Sequence, residues 1–339
     1  MQQVRFRTGR IAASLIGAAL IAASAAQAQE KYPDHAVRLI VPFPPGGQTD
    51  TVARMVGKAV TPLLGEQVIV DNRSGAAGSI GSGECARAKP DGYTLLIGTT
   101  STHAINPTAM KNVAYDPVKD FVPITVLGTG PIAISIHPSV PARTLKQLVA
   151  DVKQHPGQYY YGSSGVASIN NLAGELLKER AGKLQIIHVP YKGAGAALTD
   201  LIGGQIPIAF TTLSAALPHF RQGRVRTLAV LKEERSLGAP DIPTTAEAGV
   251  PGVVAYTFNI LLAPAGTPRG VVNALDGVTK KVMRERAFVD SLVRVGVDPA
   301  TDSGPDKATA MIRAELDKWT PLIQSLGLGH AEHGSRQGA

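Results

Sequence analysis

The chain of 339 residues has one cysteine, Cys85, one tryptophan and only 5% aromatic residues. A single cysteine closes no internal disulfide and has no thiolate partner for a metal site. Its small-residue neighbours predict a buried position on a helix instead. Acidic residues are few, 26 Asp and Glu against 34 Lys and Arg. The basic residues are scattered and not interleaved with aromatics, so a nucleic-acid footprint is not expected. No glycine run is followed by a phosphate-loop lysine. Gly193-Ala194-Gly195 reaches Leu198 where a dinucleotide fingerprint needs Gly or Ala. His330 and His333 stand only three residues apart in a polar tail, which suits solvent better than zinc. No cofactor and no metal are therefore expected.

The N-terminus has its own pattern. Arg5, Arg7 and Arg10 precede a small, apolar run from Ile11 to Ala26, and Ala26-Gln27-Ala28 has small-x-small spacing. This predicts a cleavable secretory signal over residues 1–28 and a periplasmic product. No later stretch approaches the roughly 20 apolar residues of a membrane helix. Without the three leader arginines the formal net charge of +8 falls to +5, a mild attraction for anions.

The stretch that organises the remainder is Val41-Pro42-Phe43-Pro44-Pro45-Gly46-Gly47-Gln48-Thr49-Asp50. An apolar run from Val37 to Val41 predicts a buried strand, and Val52, Val56, Val60 and Leu63 mark one face of a helix. Between them lies a Pro/Gly loop ending in Thr49 and Asp50, both good helix caps. Unpaired amides at such a helix start, with the helix dipole behind them, make an anion cradle. An ordinary βα connection has the same composition, so the recurrence of the design carries the weight. It returns at Ser74–Gly81, Thr99–His103, Gly162–Ser168, Tyr191–Gly195 and Thr211–Ser214. Two short apolar runs, Ile124–Leu127 and Ile132–Ile136, flank Gly128 and Gly130 and predict a bend where the chain crosses between domains.

Strands alternating with helices predict an α/β chain with mostly parallel sheets, whose ligand lies beyond the carboxyl ends of the strands. Those ends carry glycines and hydroxyls and almost no acid, which suits an anion that is held and not transformed. Asp50 is the exception and reads equally as a helix cap. Catalytic signals are weak. Ser164 lacks nucleophile-elbow spacing, because Val166 stands where Gly is required. Ser168 has no visible His and Asp partners. His103 and His188 are lone histidines at strand ends.

Several of these segments together resemble the Bug/TctC family, the extracytoplasmic solute-binding proteins of tripartite tricarboxylate transporters. They are VPFPPGGQTD, DNRSGAAGSIG, PDGYTLLIGTTSTHAINP, YGSSGVAS, VPYKGAGAALTDLIGGQ and LLAPAGTP, in that order from about Tyr32 to Leu326. The resemblance implies a type II-like periplasmic binding protein, with two α/β domains joined by crossing strands and a ligand cleft between them. One domain would comprise 29–128 with 254–329 and the other 129–253, leaving 330–339 as a tail. It implies a monomer, no enzyme activity, a small carboxylate ligand and membrane transporter subunits as partners. First-domain contacts would fall at Phe43, Pro44, Gly46, Gly47, Thr49, Asp50, Gly78, Ser79, Ser101, Thr102 and His103. Second-domain contacts would fall at Ser163, Ser164, Ser168, Tyr191, Lys192, Gly193 and Thr212.

The chain departs from that pattern in places. Relatives often carry Asp-Asn-Leu-Pro where this chain has Thr211-Thr212-Leu213-Ser214, and Trp-Tyr-Gly where it has Thr257-Phe258-Asn259. Losing the acid near Thr211 favours plain di- or tricarboxylates, or an aromatic acid, over amino acids. A sensor that reports a solute to a membrane partner, and an exported hydrolase using Ser164 or Ser168, are the competing expectations.

Overall fold

The computed structural model describes residues 32–328; the expected leader and tail lie outside the described residues. Strand β1 (Val37–Val41) leads through the Pro/Gly loop into helix α1 (Gln48–Leu64), followed by β2 (Val68–Asn72). A short turn then enters α2 (Ser79–Ala86), and β3 (Thr94–Gly98) follows. One wide π-type turn (Ser101–Ile105) opens α3 (Asn106–Ala109). Next come β4 (Phe121–Ile136), α4 (Leu145–Gln154), β5 (Tyr159–Ser163) and α5 (Ile169–Arg180). They are followed by β6 (Ile186–Pro190), α6 (Ala194–Ile202), β7 (Ile208–Thr212), α7 (Leu213–Arg221) and β8 (Arg226–Val230). The C-terminal part is β9 (Tyr256–Pro264), α8 (Arg269–Arg284), α9 (Arg286–Arg294), β10 (Asp298–Pro299) and α10 (Pro305–Ser325).

The strands run in the order β2-β1-β3-β9-β4-β7-β5-β6, with β8 and β10 also on β4. Outer strands are parallel: β2 and β3 on β1, and β6 and β7 on β5. Every antiparallel pair includes β4 or β9. β4 pairs with β9 from Phe121 to Pro131, then with β7 and β8 from Ile132 to Ile136. It therefore serves both halves of this two-domain α/β fold.

The expected bend at Gly128–Gly130 is replaced by one continuous strand of 16 residues, with register shifts at Pro123/Thr125 and Val126/Gly128. Those glycines admit close neighbours instead of turning the chain. A Cβ on Gly128 would lie 2.8 Å from the Asp298 carbonyl, and one on Gly130 would overlap the Gln48 carboxamide. Helix α8 ends where Glu285 leaves helical geometry, and α9 starts anew.

Each half buries both faces of its sheet. Leu39, Val41 and Ile97 pack under Val52, Val56 and Val60 of α1 and under Leu275 of α8. Ile40, Leu96 and Phe258 face Cys85 of α2 and Ala308 and Ile312 of α10. In the second half Ile134, Tyr161 and Phe210 pack with Leu148 of α4, Leu172 of α5 and Trp319 of α10. Helix α10 thus contributes to the cores of both halves. Cys85 is fully buried, and burial pushes its thiol up to about 12.

Candidate functional site: two facing cradles

The first cradle is the β1–α1 loop. Helix α1 starts at Gln48 with Gly47 as its cap, so the expected Thr49–Asp50 cap is shifted by two residues. Asp50 instead sits in the first turn and reaches back to staple the loop. Its carboxylate accepts the Gly46 amide at 2.9 Å and the Asn72 amide at 3.0 Å, and pairs with Arg54 at 2.9 Å. Burial raises its pKa, but Arg54, the Gly46 amide and Asn72 outweigh that and hold it below the usual carboxylate range. Asp50 is therefore structural, and other amides of the first turn keep no intrahelical partner. Pro44, Gly46 and Gly47 are exposed, Phe43 is half-buried, and Thr49 is buried.

Gly78 lies under this loop with φ +94, a left-handed value open to glycine. A Cβ there would stand 2.6 Å from Thr102 and 3.1 Å from the Phe43 ring. Ser79 Oγ accepts from Asn106 at 3.0 Å. Of the Ser101–His103 trio, the π-type turn carries two side chains inward, away from the expected contact. Thr102 Oγ1 accepts the Thr99 amide at 2.9 Å and meets His103 Nδ1 at 2.8 Å. His103 is fully buried against Phe121 and Tyr115, and desolvation lowers its pKa to about 3. Both support the loop from behind. Ser101 makes no side-chain hydrogen bond among the described residues.

The second cradle is the β5–α5 loop. Ser168 caps α5, accepting the Asn171 amide at 3.2 Å and donating to the Gly165 carbonyl at 2.7 Å. Ser164 donates to Asn170 Oδ1 at 2.7 Å. Ser163 is buried, its hydroxyl donating to the Gly165 carbonyl and lying 2.7 Å from His188 Nε2. Desolvation lowers the His188 pKa, and its ring stacks on Tyr161. Beside this loop Gly193 starts α6, Lys192 is exposed, and Tyr191 donates to Asp200 at 2.7 Å. Desolvation, then Asp200, push the Tyr191 hydroxyl up to about 12.

The first cradle meets the start of α7 at a contact absent from the expected set. Ser214 Oγ, at the start of α7, donates to Gln48 Oε1 of α1 at 3.1 Å and lies 3.0 Å from Thr212 Oγ1. Gln48 and Ser214 stand inside the expected loops without an expected role of their own, and Asn170 lies just beyond the expected Gly162–Ser168 loop. The available signal was a polar residue in the first turn of a helix that follows a strand.

Carboxylates near the loops are already engaged. Asp50 is held by Arg54, Asp200 by Tyr191, and Glu175 by Lys178 and Tyr161. What faces outward is amide, hydroxyl and glycine, a surface that favours an anion and offers no charge to an ammonium group. Among the described residues no three His, Cys, Asp or Glu side chains converge as a metal site. A separate shallow depression of about 500 Å³ lies on the β2 edge, lined by Arg54, Lys58, Thr61 and Gln67–Val70.

Comparisons with known proteins agree with this architecture. Residues 52–328 match the family described as tripartite tricarboxylate transporter family receptor. The chain is similar to the protein BugT of Bordetella pertussis, 33% identical over 299 residues, covering 88% of this chain and 91% of that one. Among solved structures it resembles an R. palustris protein with adipate, at TM-score 0.82 and 32% identity, covering 88% of this chain and 99% of the other. It also resembles MatC from Rhodopseudomonas palustris with bound malate, at TM-score 0.77 and 29% identity, covering 86% and 100%. This chain belongs to the tripartite tricarboxylate transporter receptor family, a family of solute-binding proteins.

Proposed function

We propose that this chain is an exported periplasmic receptor that closes on a small carboxylate and presents it to the membrane subunits of a tripartite tricarboxylate-type transporter. The observation that carries this is the pairing of α1 and α5: each starts after a glycine-containing loop at a strand's carboxyl end, each leaves first-turn amides unpaired, and neither has a free acid beside it. Such dipoles replace an anion's hydration without a fixed positive charge. Two relatives carry adipate and malate, and another is described as a periplasmic transporter. Among the described residues no helix is long and apolar enough to cross a membrane.

In the mechanism, residues 29–128 with 254–329 form one lobe and 129–253 the other, with β4 and the return into β9 as the crossing segments. Ligand entering between the loops is held by both lobes only when they approach, so its differential affinity favours the closed state. The transporter subunits then recognise the closed form of a monomer. With Asp50, Glu175 and Asp200 already paired, an amino acid's ammonium finds no partner, so plain di- or tricarboxylates or an aromatic acid are preferred. Binding, not hydrolysis, suits the serines: the Ser164 hydroxyl is spent on Asn170 and the Ser168 hydroxyl on Gly165.

Small-angle scattering of the ligand-free protein tests the closure. Adding adipate or malate is expected to reduce the radius of gyration, and an unchanged profile at saturating ligand contradicts a closing receptor.

A further inference from the structure

Two side-chain amides, one in each cradle, share an arrangement. Each is the carboxamide of a residue in the first turn of a helix, and each has its oxygen held by a serine hydroxyl. Ser214 donates to Gln48 Oε1 at 3.1 Å, and Ser164 donates to Asn170 Oδ1 at 2.7 Å. In each the nitrogen is buried and has no hydrogen-bond partner among the described residues. Asn170 is only 4% exposed. A buried N–H left without an acceptor is costly, and pinning the oxygen fixes where the planar amide points its N–H groups. Neither nitrogen is needed to hold its own loop, since the Asp50 staple and the Ser168 cap already do that.

We propose that Gln48 Nε2 and Asn170 Nδ2 are the paired, uncharged donors that bind the carboxylate oxygens of the ligand, one from each lobe, with Ser214 and Gly130 as positioning residues that aim Gln48. This deepens the receptor function proposed above and rests on it. The Gln48 amide lies flat on Gly130 of the crossing strand, where a Cβ would overlap it. Its anchor, Ser214, stands 166 residues further on in the chain and on the other side of the seam. Gln48 is therefore aimed only while Ser214 is brought up to α1. Closure of the lobes and readiness of the donor become one event. The ligand class that fits is an acid with at least two carboxylate oxygens placed to span the seam. A neutral amide pair discriminates by geometry and stays a donor across the whole pH range of carboxylate ionisation.

Isothermal titration with adipate as the probe tests this on the wild type and on Gln48→Glu, Asn170→Asp, Gly130→Ala, Ser214→Ala and Ser214→Thr. Gln48→Glu and Asn170→Asp keep the shape and replace the donor by a negative charge. Each is expected to weaken adipate binding by about 100-fold or more, since a charge-assisted bond is lost and a like charge is added. An acid in the first turn suits the helix dipole but buries a charge, so the fold of both variants is confirmed by circular dichroism before binding is compared. Gly130→Ala is expected to displace the Gln48 amide and weaken binding by about tenfold. Ser214→Ala weakens it similarly, and Ser214→Thr restores it. Adipate affinities within about twofold of wild type for either acidic variant overturn the donor pair. A wild type that takes no acid from a panel of dicarboxylates, tricarboxylates and aromatic acids overturns the receptor function itself, and this inference with it.

Discussion

Thr100 and Tyr256 are joined across 156 residues of chain: Thr100 Oγ1 donates to the Tyr256 carbonyl at 3.1 Å. The same oxygen accepts the Phe258 amide at 3.1 Å, so one hydroxyl ties the end of β3 to the start of the crossing strand β9. The loop that carries Ser101 is thereby fixed to β9.

Replacing that hydroxyl with a methyl group of similar shape leaves two backbone groups unpaired in a buried place. Thr100→Val is expected to cost about 1–3 kcal/mol of stability. Urea denaturation checks it, and a midpoint equal to wild type contradicts the coupling.

Asp50 staples the first cradle, so Asp50→Asn is expected to weaken both fold and binding. The substitution keeps one acceptor oxygen but turns an N–H towards Arg54 and either Gly46 or Asn72, at a cost of about 1–3 kcal/mol. Because its folded pKa lies below the ordinary carboxylate value, its contribution is complete above about pH 4 and is lost as pH falls through the folded value. The difference in stability between wild type and variant therefore shrinks in strong acid. A difference that grows on acidification contradicts the staple.

Gly78→Ala places a methyl group against Thr102 and the Phe43 ring, at a left-handed backbone position. The expected penalty is about 1–3 kcal/mol from overpacking alone. Carboxylate affinity falls with it, because Phe43 belongs to the β1–α1 loop. Equal thermal melting of variant and wild type refutes this.

His103 makes the fold sensitive to acid. Its folded pKa of about 3 lies below the unfolded value near 6.5, so between those values the unfolded chain binds more protons. Stability therefore falls as pH drops from about 6.5 towards 3, with this group adding up to about 1.4 kcal/mol per pH unit. Its neighbours Thr102, Tyr115 and Phe121 carry no charge to offset this. His103→Gln is expected to flatten that limb, and denaturation at a series of pH values reads the slope directly. An unchanged slope shows that the ring is not buried neutral.

Local periodicity carried most of the fold. The strand–loop–helix alternation placed β1 and α1. Small neighbours likewise marked Cys85 as buried. Glycine misled at Gly128 and Gly130, because a close approach inside a strand and a break between strands use the same residue. Thr102 and His103 looked like cleft residues because hydroxyl and imidazole groups ended a strand. Only the π-type turn, which no local pattern announces, turns them inward. Gln48 and Asn170 were not legible as donors, because an unpaired amide is defined by what surrounds it. The Gln48 oxygen is engaged by Ser214, far along the chain, and the Asn170 oxygen by a serine with no sequence mark of its orientation.

The most direct test is a thermal-shift screen of refolded, ligand-free protein against plain dicarboxylates, tricarboxylates, aromatic acids, aspartate and glutamate. A ligand at about 100 times its Kd adds roughly 2.7 kcal/mol, a rise of several degrees. A carboxylate receptor with no free acid beside its cradles shows that rise with a plain carboxylate and little or none with the two amino acids. The largest shift falling on aspartate or glutamate, or flat curves throughout, would contradict it.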